Sequence, residues 1–131
     1  MAKFKDSEKR SWSLKITVGS LKKVKDDTTI DLGYIASGKL ENLEATLSNP
    51  FDLCAILYSL CEDQVEERNM TPEDFASMLH GDTFEAAIET FVESILDFYP
   101  RQKAQVLRAA LAKEKEKQDK QLEEAIKELQ D

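Results

Sequence analysis

The stretch Asn49-Pro50-Phe51-Asp52-Leu53-Cys54-Ala55-Ile56-Leu57-Tyr58-Ser59-Leu60-Cys61 decides how the rest of the chain is read. Asn49 suits an N-cap, because its side-chain oxygen can accept from the orphan N–H groups of a first turn, and Pro50 suits the first helical position. Only Asp52 and Ser59 are strongly polar before Glu62. A surface helix carries a polar face along its length. This one is apolar nearly all round, so it is expected at the centre of a core with other helices packed on it. It is too short to cross a bilayer, which takes about 20 apolar residues. Its two cysteines, Cys54 and Cys61, would sit roughly 10 Å apart on one helix. A disulfide spans less than about 7 Å, so they read as small buried hydrophobes.

Upstream, residues 11–18 alternate. Trp12, Leu14, Ile16 and Val18 share one side, and Ser11, Ser13, Lys15 and Thr17 the other, the period of a half-buried strand. A strand needs a partner for its backbone groups, and the nearest is Ala2 to Lys5, joined through Asp6 to Arg10. The expectation is an N-terminal β-hairpin over about residues 2–18 with Phe4 near Trp12, docked on the helices because a lone hairpin is marginal in water. Gly19-Ser20 should break the strand, with Ser20 capping a short helix from Leu21 to Asp27 and Leu21 and Val24 inward. Thr28 to Leu32 reads as extended or as a turn. Gly33 and Gly38 punctuate a loop or a single helical turn. Lys39 to Leu47 places Leu40, Leu43 and Leu47 on one helical face.

Downstream, Glu62 to Asn69 is acidic and reads as the end of the central helix plus a loop. Thr71-Pro72-Glu73-Asp74 is a strong helix start: a capping hydroxyl, a first-turn proline and two carboxylates at the positive end of the dipole. That helix carries Phe75, Met78 and Leu79 and stops at Gly81; His80 beside the stop reads as a helix-end polar residue. Asp82 should cap an amphipathic helix from Thr83 to Tyr99. Phe84, Ala87, Ile88, Phe91, Val92, Ile95, Leu96 and Tyr99 line one face, and Glu85, Glu89, Glu93 and Asp97 the other. Like charges at i, i+4 repel, so this acidic row is not tuned for helix stability and is a candidate protein-docking face; the alternative is a plain solvated face. Pro100 should end or kink the helix. Arg101 to Lys113 resumes it, and Lys113 to Gln121 has no apolar residue. Leu122, Ile126 and Leu129 then form a short stripe, a candidate association arm, the alternatives being a frayed end or a tail folded back. The domain boundaries expected are 1–112 for a helical domain with the hairpin and 113–131 for a charged helical tail or arm. The expected core is Trp12, Leu14, Ile16, Phe51, Leu53, Cys54, Leu57, Phe75, Leu79, Phe84, Ile88, Phe91 and Ile95.

The fold class expected is therefore mainly α: a small helical domain with an N-terminal β-hairpin and a charged C-terminal helix. At 131 residues the chain fits one core. Its net charge is −8, unevenly laid out. Residues 1–25 carry eight basic and two acidic side chains, residues 26–100 two and seventeen, and residues 101–131 eight and seven. An acidic body disfavours nucleic acid, whose affinity comes from phosphate neutralisation. A basic end beside it favours head-to-tail self-association, or equally a fold-back of that end onto its own acidic body. The opening MAKFKDSEKR holds no apolar run or cleavage site, and no segment is long enough for a membrane span, so the cytoplasm is the expected compartment. No zinc spacing, phosphate-cradling glycine loop or paired active-site carboxylates are visible, so neither a cofactor nor a metal nor enzyme activity is expected.

The order of pieces carries a resemblance: a hairpin ending in WSLKITVGSLKKVKDDTTIDL, then NPFDLCAILYSLCEDQ, then TPEDFASMLHGDTFEAAIETFVESILDFYP, then a basic-apolar helix with a charged tail. Over Trp12 to Lys113 it resembles the small tail assembly chaperones of long-tailed bacteriophages and prophage-like loci. The resemblance implies a mostly helical, acidic, self-associating protein without catalytic residues. It also implies a long coiled-coil tape measure protein as partner, kept soluble while tail tube subunits assemble around it. The tail beyond Lys113 has no counterpart in that pattern. The competing reading is a structural adaptor that self-associates through its C-terminal helix.

Overall fold

The computed structural model describes residues 2–33 and 40–130. Two strands, β1 (Ala2–Lys5) and β2 (Ser11–Leu14), precede six described helices: α1 (Val18–Thr28), α2 (Leu40–Leu47), α3 (Pro50–Glu67), α4 (Pro72–Met78), α5 (Gly81–Phe98) and α6 (Arg101–Gln130). The chain divides into two compact units, residues 1–98 and residues 99–131. The boundary expected at 112/113 falls inside the unbroken α6. No described helix is long and apolar enough to cross a membrane.

In the first unit α3 is the hub, packed by α1, α2, α4 and β2. Asn49 caps it, its side chain accepting from the Phe51 and Asp52 N–H groups, and Pro50 opens it. Leu53, Ile56, Leu57 and Cys61 are fully buried. The helix ends at Glu67, within the Glu62–Asn69 stretch expected to hold its end, and Val65, one turn past Cys61, is buried on it. The sequence reading errs at Phe51, which is 86% exposed. It stands i, i+4, i+7 from Ala55 and Tyr58, on the side of α3 turned away from Leu53 and Leu57. Cys54, Leu79, Phe84 and Ile88 are half-buried rather than core. Val24, Leu32, Leu43, Met78, Ala87 and Leu96 complete the core. Lys23 ties α1 to α3, reaching Asp27 at 2.7 Å and Glu62 at 2.8 Å, while the Ser59 hydroxyl donates to Asp27.

The hairpin pairs antiparallel with Phe4 opposite Trp12, as expected. It ends at Leu14, short of Val18. The alternation continues in burial through Ile16, but Thr17 turns the chain by accepting from the Ser20 N–H, so α1 starts at Val18 and leaves it 73% exposed. Thr17, rather than Ser20, is the cap. Of the segment expected to be extended or a turn, Thr28 still belongs to α1, Thr29 ends that helix in a left-handed conformation (φ 65°), and Leu32 is helical again, so only residues 29–31 leave the helix. The loop or helical turn expected between Gly33 and Gly38 lies at residues 34–39, outside the described residues, as does Lys39.

Thr71 caps α4 in a reciprocal box with Asp74. α4 stops at Met78, and α5 already begins at Gly81, whose φ of +53° is the left-handed region that favours glycine. α5 ends at Phe98 ahead of Pro100, and packs on β1 and β2.

Candidate interaction surface

The hairpin is built around one carboxylate. Asp6 is buried, its Oδ1 accepting from the backbone N–H groups of Glu8 (2.9 Å) and Arg10 (3.0 Å) and its Oδ2 from Arg10 Nε (2.6 Å) and Trp12 Nε1 (2.9 Å). Burial pushes the Asp6 carboxyl up, but the hydrogen bonds from Trp12, Arg10 and Glu8 outweigh it and hold it below its ordinary 3.8. Trp12 then stacks edge-on against Phe75 at 5.3 Å, and the Arg68 guanidinium lies 4.3 Å from its ring centroid.

Both long edges of the two-stranded sheet meet side chains. On β2, Gln64 Oε1 accepts from the Ser13 N–H (2.8 Å) and Gln64 Nε2 donates to the Ser13 carbonyl (2.9 Å), while Arg68 donates to the Ser11 carbonyl. A single glutamine from α3 thus stands where the peptide group of a third strand would pair. On β1, the Thr90 hydroxyl of α5 reaches the Lys3 carbonyl at 3.2 Å. These contacts blunt edges that would otherwise invite another strand.

Docking α5 against β1 turns its buried side (Ala87, Thr90, Phe91, Ser94, Ile95, Leu96) inward and leaves Glu85, Glu89, Glu93 and Asp97 all exposed in one row. Two clefts flank that row. One, of about 400 Å³, is lined by Ala2, Lys3, Glu89, Thr90, Glu93 and Asp97. The other, of about 610 Å³, is lined by Ala2, Leu14, Lys15, Ile16, Ser94 and Asp97. Glu89, Glu93 and Asp97 line the first cleft and Asp97 the second, so carboxylates are what the row presents to a basic segment. Lys3 and Lys15 share these clefts with the acidic row, so part of the basic N-terminus faces its own acidic body. Lys3, Thr90 and Lys15 escaped the sequence reading, because only the tertiary packing of α5 on the hairpin brings them to the row.

The second unit holds the other candidate residues. α6 is one continuous helix of 30 residues, none of them buried. Leu122, Ile126 and Leu129 are 61%, 45% and 87% exposed on it. Lys103 Nζ lies 4.6 Å from the Tyr99 ring.

Burial pushes the Cys61 thiol up to about 12, against the opposing charge of Arg68, and burial raises Cys54 as well, so neither offers a thiolate near neutrality. Among the described residues no group of three or more His, Cys, Asp or Glu side chains could hold a metal ion. Compared with known proteins, the chain matches no family model, no curated protein and no solved structure.

Proposed function

We propose that this protein is a non-enzymatic, cytoplasmic assembly chaperone of the phage tail type, which binds a long coiled-coil tape measure protein and keeps it soluble while the tail tube forms. The observation that carries the reading is the row Glu85, Glu89, Glu93 and Asp97, exposed along α5 beside two clefts. Such a surface offers a run of carboxylates to the basic side of an amphipathic helix, and charge complementarity would give the encounter its specificity. The resemblance of residues 12–113 to that family supplies the partner class. Co-expression with a long coiled-coil tape measure protein of a long-tailed phage is the test. The partner is expected in the soluble fraction and co-purifying; a partner that stays insoluble and unbound rejects the reading.

A second reading, a self-associating adaptor without chaperone role, draws on the exposed stripe of α6. It predicts stable oligomers and no effect on the solubility of the coiled-coil protein.

A further inference from the structure

We propose that the segment held by the α5 row is a helix with charges of both signs: a basic row for the α5 carboxylates and, beside it, an acidic row for Lys3, Lys5 and Lys15 of the hairpin. This rests on the reading of the α5 row as a docking face and adds what the partner must carry. It starts from the register of the hairpin. Lys3 lies opposite Ser13 and Lys5 opposite Ser11, so these four share one face of the sheet, while the buried Phe4, Trp12 and Leu14 take the other. Lys15, two residues past Ser13 and followed by the buried Ile16, stays on the first side. Lys3, Lys5 and Lys15 are all exposed there.

The basic stripe and the acidic row are neighbours. Lys3 lines the cleft that holds Glu89, Glu93 and Asp97, and Lys15 lines the cleft that holds Asp97. The bond from the Thr90 hydroxyl to the Lys3 carbonyl sets β1 alongside α5 at that level. The spacings also agree. Alternate residues of a strand recur every 6.8 Å or so, about the 6 Å that separates every fourth residue of a helix. One helix, roughly 10–12 Å across with its side chains, can lie along the seam and touch both stripes.

Sign then decides what fits. A helix that is basic all round meets the row but sets its remaining charges against the lysines, and like charges across an interface select against a partner. A helix with a basic row and an acidic row one residue further on, about 100° round, satisfies both stripes. Reversing a helix exchanges its two flanks. A two-signed surface therefore accepts such a helix in one direction only, which a row of carboxylates alone does not impose.

The test uses two synthetic alanine-based peptides of the same composition, each with lysine at every fourth position. In the first, glutamate directly follows each lysine, so the two rows are adjacent. In the second, glutamate stands two positions after each lysine, on the far side of the helix. Both are titrated, by fluorescence anisotropy, with the native chain and with a chain carrying Lys3→Gln, Lys5→Gln and Lys15→Gln. Tryptophan fluorescence should show that variant folded, since the three side chains are exposed. The native chain is expected to bind the first peptide about tenfold more tightly than the second, as a few exposed ion pairs together allow, and the variant to bind the two alike. If the native chain shows no preference for the first peptide, or if the preference survives loss of the lysines, the proposal is overturned while the row stands as a docking face. If neither peptide binds, the reading of the row falls and the proposal with it.

Discussion

Replacing Asp6 by alanine should undock the hairpin. The carboxylate accepts four hydrogen bonds, two of them from Arg10 Nε at 2.6 Å and Trp12 Nε1 at 2.9 Å. Bonds to a charged acceptor contribute roughly 1.5–3 kcal/mol each, but not additively. The Glu8 and Arg10 backbone donors lie at a surface turn where water can replace the carboxylate, and the Arg10 side chain is 31% exposed. Trp12 is different: its ring is fully buried, so its N–H would be left without an acceptor, at a cost of about 1–3 kcal/mol. The total expected is about 3–4 kcal/mol, a large part of the 5–15 kcal/mol typical of a small domain. The assay is urea unfolding followed by the fluorescence of Trp12, the only tryptophan. Adding Trp12→Phe to the Asp6→Ala chain removes the orphaned donor and should recover part of the loss. A loss below about 1 kcal/mol in the single variant, with no recovery in the double, would refute the reasoning that Asp6 organises the hairpin.

Other consequences follow from the same structure. Leu57→Asp puts an unpaired charge at a fully buried site of α3 and should prevent folding, whereas Phe51→Ser on the outer face should shift stability by no more than about 0.5 kcal/mol; thermal melting of both separates the two faces. Gln64→Ala removes the two bonds that close the β2 edge and should cost about 1–2 kcal/mol, read as a lower urea midpoint at unchanged slope. Because the Asp6 carboxyl is held below 3.8 in the folded state, its contribution is fully present above that value and is lost as pH falls through the folded pKa. An acid titration of Trp12 fluorescence should therefore hold steady down to about pH 4 and change below it; in Asp6→Ala that acid step should shrink.

The local rules carried the fold a long way. Asn49-Pro50 and Thr71-Pro72 announced two helix starts because caps and first-turn prolines act through neighbours in sequence. The Phe4–Trp12 pairing was legible because register follows from alternation and a short turn. Phe51 was not. An apolar run shows that a helix is central but not which azimuth a fourth neighbour leaves bare, and that depends on where α1, α2, α4 and β2 pack. The Thr17 cap was hidden by an alternation that burial continues to Ile16 after the strand has ended. The same limit applies at the surface. The row Glu85, Glu89, Glu93 and Asp97 was readable from i, i+4 spacing, but its flanking clefts depend on Lys3 and Thr90, 87 residues apart in the chain. Asp6, Gln64 and Arg68 carry no local pattern that marks them, since their donors and acceptors come together only through tertiary packing.

The central claim is that the α5 row binds the coiled-coil partner. It is tested most directly by co-expressing that partner with the native chain and with a chain carrying Glu85→Gln, Glu89→Gln, Glu93→Gln and Asp97→Asn, and measuring the fraction of partner that stays soluble. Unchanged tryptophan fluorescence would certify that the variant is folded. The account predicts a soluble, co-purifying partner with the native chain and its loss to the pellet with the neutralised one. A partner kept equally soluble by both chains would contradict it.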